Sequence, residues 1–100
     1  MREAAFRMLL ELGEFQQLVD RRFYAGDRDD RIVAWGKIGL IRDMSGLVSI
    51  EIETRALSAF EVWQQHSAAL ERGEPAAEQA ISQAVGDTRT QVLSDLRSLQ

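Results

Sequence analysis

The single histidine of the sequence, His66, is the first residue to consider as a catalytic group. As a general base it would need an orienting carboxylate and a nucleophile or substrate within reach, and the neighbouring residues supply neither. Di-iron sites in helical bundles use a Glu-x-x-His pair on each of two helices, whereas Glu61 lies five residues before His66. The sequence therefore carries no catalytic or metal-binding signature, and we expect no enzyme, no cofactor and no metal.

Three polar residues, His66 among them, lie within otherwise apolar helical stripes; the other two are Gln16 and Thr88. Counting along the predicted helices puts Gln16 and His66 at about the same height in a bundle. Two interpretations remain open. The three residues form a polar layer that fixes the helix register, or each lies at the edge of its stripe and meets water.

The charge balance argues against nucleic acids and membrane surfaces as partners. The 100 residues include 12 Lys and Arg against 16 Asp and Glu, which gives a net charge of −4 at pH 7. Residues 20–31 interleave four Asp with four Arg, a pattern typical of a solvated, self-neutralising corner. Because no unbalanced basic stripe is present, the chain lacks the electrostatic footprint of phosphate binding. We expect protein partners, no nucleic acid and no membrane.

Length and composition predict one packed domain spanning residues 1–100. Hydrophobic residues make up 45% of the chain, which is ordinary for a folded domain and too high for a disordered tail. There is no cysteine and hence no disulfide framework. No uncharged run approaches the roughly 20 residues that span a bilayer. The default expectation for the compartment is the cytoplasm.

Glycines divide the chain into four segments of helical composition. The predicted helices are 2–25, 29–45, 49–72 and 75–99. Gly26, Gly46 and Gly73 each follow a segment with Arg in its last turn. This pattern is typical of helix C-termini, where glycine adopts the left-handed conformation and a cation complements the exposed carbonyls.

Residues suited to helix starts follow each of these glycines. The second helix can be capped by one of three aspartates, Asp27, Asp29 and Asp30. Ser49 can cap the third helix, and Pro75 suits the first turn of the fourth. Apolar spacings of three and four predict one buried stripe on the first, third and fourth helices. Because the connections are short, we predict an all-α, up-and-down four-helix bundle.

Residues 31–54 also fit a β-hairpin, which would make the fold α+β. Val48, Ile50 and Ile52 alternate with polar residues, which is the period of a half-buried strand. The segment before them is rich in β-branched residues. The helix-start signals and the long apolar stripe after residue 52 favour the bundle.

Glycines inside the predicted helices need an explanation, because each costs about 1 kcal/mol relative to alanine. Gly36 and Gly39 lie within the second helix, Gly13 in the first and Gly86 in the fourth. We interpret all four as positions where helices approach each other closely.

The second helix is the informative one, because its apolar residues point in every direction when placed at 100° intervals. A helix that is apolar all round is buried on more than one side. Tilted neighbours in an irregular bundle could cover it, but we predict that it packs against a second copy in a homodimer. The predicted interface residues are Ile32, Trp35, Gly36, Ile38, Gly39 and Ile41.

These features predict a non-catalytic helical interaction module that self-associates and binds another protein, as an adaptor, regulator or inhibitor. The alternative is a small apolar-ligand-binding helical bundle with a pocket near His66 and Trp63. A helical bundle hosts many unrelated functions, so the fold alone does not choose between them.

Overall fold

The computed structural model describes residues 2–25 and 31–98 and contains four α-helices in those ranges. They are α1 (Arg2–Tyr24), α2 (Arg31–Ser45), α3 (Ile50–Glu71) and α4 (Pro75–Ser98). The predicted all-α bundle is confirmed, and the β-hairpin alternative for 31–54 is wrong, because 31–45 and 50–54 are helical. Residues 26–30, which include the predicted caps Asp27, Asp29 and Asp30 as well as Gly26, lie outside the described residues, as does residue 99.

The start of α3 follows the predicted capping chemistry. The Ser49 hydroxyl accepts a hydrogen bond from the backbone N–H of Ile52 at 3.1 Å and donates one to Asp95 Oδ2 on α4 at 2.6 Å. A serine at this position satisfies an orphan N–H of the first turn. Because the same hydroxyl reaches α4, it also ties the start of α3 to the end of the chain.

The end of α3 contains the left-handed glycine that the sequence predicts. Gly73 has φ +73°, and its N–H donates to the carbonyl of Leu70 at 2.9 Å. Gly46 differs from the prediction, since Gly73 is the only glycine with positive φ in the described ranges. A Cβ at Gly46 would lie 2.8 Å from Glu53 Oε2, which is the tip of a flexible side chain that can move aside.

The helices enclose one apolar core, and α2 has a peripheral place around it. Four pairs of helices pack as neighbours: α1 with α4, α4 with α3, α3 with α2, and α2 with α1. In addition, α1 touches α3 across the core. No Cα atom of α2 comes within 8 Å of α4 in the described structure. The largest fully buried side chains come from all four helices and include Phe15, Ile38, Ile52 and Ile81. Among the four described helices, α2 therefore has α1 and α3 to cover it.

The glycines within helices do not mark close approach inside the subunit, which corrects that part of the sequence interpretation. A Cβ added at Gly13, Gly36, Gly39 or Gly86 would meet nothing within 4 Å. The backbones there are helical without tight neighbours. The cost of these glycines is thus not recovered by packing within one chain.

We therefore expect Gly86→Ala to raise the free energy of unfolding by about 0.5–1 kcal/mol, because alanine lowers the entropy of the unfolded chain and improves helix propensity. Urea unfolding followed by circular dichroism measures the change. As the control, Gly73→Ala should lower stability by about 1 kcal/mol because of the positive φ. A destabilising Gly86→Ala would show that a neighbour needs the space after all.

Candidate functional site

The inner face of α2 belongs to the core of the subunit. Ile38 and Ile41 are fully buried, and Ala34 and Ser45 lie beside them on the same side of the helix. Two of the six residues that the sequence assigns to an interface between chains are thus covered within one chain. They are covered because α2 turns this face toward α1 and α3, which a count of apolar residues does not reveal.

The outer face of α2 is made of Ile32, Val33, Gly36 and Leu40, is exposed, and carries one charged residue, Asp43, near its end. Ile32 is 85% exposed, Val33 48% and Leu40 41%. Spacings of three and four residues place these positions on one side of the helix. Gly36 lies between them, with free space where its Cβ would be. Val33 and Leu40 were not in the predicted set, although their angular position around the helix axis, away from the buried residues, could have identified them.

The remaining predicted interface residues, Trp35 and Gly39, lie on the flank of α2. The Trp35 ring meets two rings of α3 edge-on, with centroid distances of 6.2 Å to Phe60 and 5.6 Å to Trp63. Trp35 keeps 36% of its surface exposed, and Gly39 is half-buried. These two residues border the outer face of α2 and are not at its centre.

Exposed apolar residues of α1 extend the same side of the bundle. Phe6 is 56% and Leu10 53% exposed. Since Lys37 of α2 reaches Glu11 and Glu14 of α1, the level of Leu40, one turn further along α2, is close to that of Leu10 in this antiparallel pair. Apolar surface on a small domain concentrated in this way marks interaction sites.

An ionic cluster fixes α2 against α1. Lys37 Nζ lies 2.9 Å from Glu11 Oε2 and 2.7 Å from Glu14 Oε1, and the second oxygen of Glu11 lies 3.2 Å from Arg7 Nε. The side chain of Glu11 is only 3% exposed. The hydrogen bond from Lys37 lowers the pKa of Glu14, and the hydrogen bonds to Glu14 and Glu11 raise the pKa of Lys37. Both pKa shifts favour the charged forms of Glu14 and Lys37.

A cavity of about 220 Å³ opens between the start of α2 and the end of α3. Its lining residues are Arg31, Trp35, Trp63, Ser67, Ala68 and Glu71. Of the two residues near which the alternative prediction placed a pocket, Trp63 is among these six and His66 is not. The floor is well packed, because Trp63 is 3% exposed and meets Phe15 edge-on at 5.2 Å.

The polar residues of the apolar stripes have separate hydrogen-bond partners and do not form the polar layer that was one of the two interpretations. Gln16 donates to Asp20 Oδ1 at 3.0 Å and to Ser82 Oγ at 2.9 Å. Thr88 is fully buried and its hydroxyl donates to the carbonyl of Ala84 at 2.9 Å. His66 is half-buried and is not a partner in these hydrogen bonds of Gln16 and Thr88.

Comparisons with known proteins leave the site to be interpreted from its own geometry. No family model, no curated protein and no solved structure matches the chain. Within residues 2–25 and 31–98, no helix has both the length and the apolar character needed to cross a membrane. The same ranges contain no group of three or more His, Cys, Asp or Glu side chains placed to hold a metal ion.

Proposed function

We propose that this protein is a non-catalytic helical interaction module of the cytoplasm that self-associates through the outer face of α2. In that form it would act on another protein as an adaptor, regulator or inhibitor. The observation that carries the proposal is the exposure of Ile32, Val33 and Leu40 on a helix that only two neighbours cover. Each such side chain gains about 1.5–3 kcal/mol when it is fully removed from water.

Self-complementarity supports a second copy of the chain as the occupant of this face. In a two-fold dimer, residue i of one copy meets residue j of the other and the reverse. If two α2 helices pack antiparallel, Leu40 of each copy can enter the space above Gly36 of the other, where no Cβ contact exists within the subunit. The helical glycine that packing inside the chain does not explain would then have a role.

The size of the face sets the expected affinity. α2 has 15 residues and a length of about 22 Å at 1.5 Å per residue. A helix pair of this length, with Phe6 and Leu10 at its margin, falls at or below the area of roughly 1,200 Å² typical of stable complexes. We therefore expect a dimer that dissociates in the micromolar range, and a face that another protein can also occupy.

We expect Leu40→Glu to weaken dimerisation by at least about tenfold, because it places a charge in the centre of the paired faces. Sedimentation equilibrium between 5 and 500 µM measures the change. Thr90→Glu is the matched control, since it adds the same charge at an exposed position on α4, which α2 does not approach. Wild-type protein that stays monomeric at 500 µM, or a dimer that Leu40→Glu leaves unchanged, would contradict the proposal.

A further inference from the structure

Among the described residues, the rim of the cavity between α2 and α3 carries one arginine that no carboxylate neutralises. Glu71 also lines the cavity, but it is already paired with Arg22 of α1. The Nε of Arg22 lies 3.0 Å from Glu71 Oε2, and the Nη2 of Arg22 donates to the Glu71 carbonyl. Arg31 has no ion pair or hydrogen bond with any described residue. One carboxylate is therefore neutralised inside the subunit, and one guanidinium remains free to bind an anion.

The walls of the cavity offer aromatic surface and a missing hydrogen bond. Trp35 and Trp63 form an edge-to-face pair, and Trp35 is partly open to solvent. The indole N–H of Trp63 is the only buried side-chain polar atom without a hydrogen-bond partner in the described part of the chain. Buried polar groups are nearly always satisfied, but this N–H is shielded from solvent, so an acceptor on a molecule in the cavity reaches it only if the indole moves.

The volume limits the size of that molecule. A cavity of about 150 Å³ can hold benzene. At about 220 Å³, this cavity has room for one aromatic ring and a short acidic side chain. Ser67 provides a further hydroxyl at the lining, and Ala68 is an exposed lining residue.

We propose that this cavity binds a small aromatic monocarboxylate, with the ring against Trp35 and Trp63 and the carboxylate on the guanidinium of Arg31. A carboxylate oxygen would supply the acceptor that the Trp63 N–H lacks after a small adjustment of the ring. Charge-assisted hydrogen bonds from arginine to carboxylate are among the stronger polar contacts in proteins. The site adjoins the dimer face, since Trp35 borders the outer face of α2, but the cavity lining includes none of Ile32, Val33, Gly36 and Leu40.

The test uses the full chain and follows the two indole N–H resonances in ¹⁵N-edited NMR spectra while phenylacetate is added. We expect saturable shifts with a Kd of about 0.1–1 mM, as a ligand of ten non-hydrogen atoms permits. 2-Phenylethanol, which has the ring without the charge, and acetate, which has the charge without the ring, should each bind about tenfold or more weakly.

Variants separate the contributions of charge and shape. Arg31→Gln should weaken phenylacetate binding about tenfold, while Arg89→Gln, which removes an exposed arginine on α4, should leave it unchanged. Ala68→Leu narrows the mouth at an exposed helical position and should abolish the shifts while the chain stays folded. The proposal is overturned if phenylacetate gives no saturable shift, if it binds Arg31→Gln as well as wild type, or if Ala68→Leu has no effect.

Discussion

Ile38→Glu is expected to unfold the chain, while Ile32→Glu, six residues earlier on the same helix, should leave the free energy of unfolding almost unchanged. Ile38 is fully buried between α1 and α3, whereas Ile32 is 85% exposed. Burying a carboxylate without a partner costs several kcal/mol, which is comparable with the whole stability of a small domain, about 5–15 kcal/mol. Surface substitutions usually change stability by less than about 0.5 kcal/mol.

Far-ultraviolet circular dichroism with urea unfolding measures both variants. Ile38→Val is the conservative control and should cost about 0.5–1.5 kcal/mol, because it removes one buried methylene group. A folded, cooperative Ile38→Glu protein would show that the inner face of α2 is not part of the core. In that case the assignment of the outer face of α2 would be wrong as well, because the same rotation of the helix about its axis decides which face is buried and which is exposed.

Lys37→Met is expected to lower the free energy of unfolding by about 2–4 kcal/mol, because it leaves the buried carboxylate of Glu11 with only the exposed Arg7 as a counter-charge. Removing both partners is expected to cost less than removing the lysine alone. In Glu11→Leu/Lys37→Met, apolar side chains replace the buried pair, and such replacements are often neutral or stabilising. Urea unfolding of the two single variants and the double variant completes a mutant cycle.

The pH dependence of this cycle has a defined sign. The folded-state pKa of Glu14 lies below its ordinary value of 4.5, so its contribution is present above that value and is lost as the pH falls through the lowered pKa. The folded-state pKa of Lys37 lies above 10.5, so its contribution is present below that value and is lost as the pH rises through the raised pKa. The difference between wild type and Lys37→Met should therefore be greatest from about pH 5 to 10 and shrink in acid; a difference independent of pH would contradict the ionic role.

The architecture could be predicted from the sequence because its signals are local. Ser49 caps α3, Gly73 ends it in the left-handed conformation, and Pro75 begins α4, as the residue types require. Apolar spacing then predicts which stripe of α1, α3 and α4 is buried. These signals depend on neighbours within one or two turns, which is why they survive without knowledge of tertiary contacts.

The orientation of α2 could not be predicted in the same way. Its apolar residues occur on all sides, so the period does not rank Ile38 above Ile32. That choice depends on which neighbours cover the helix, and α2 has two. The Lys37 cluster was missed for a related reason, because Glu11 and Lys37 are far apart in sequence and only the packing of α1 on α2 brings them together.

The aromatic corner where α2 meets α3 has a spectroscopic consequence. Both tryptophans of the chain lie there, with ring centroids 5.6 Å apart and nearly perpendicular planes. At that separation the two chromophores exchange excitation energy, so the intrinsic emission of the protein reports this one junction and not an average over the molecule. Separation of α2 from α3 would therefore change the emission colour or polarisation, even while the remaining helices stay assembled.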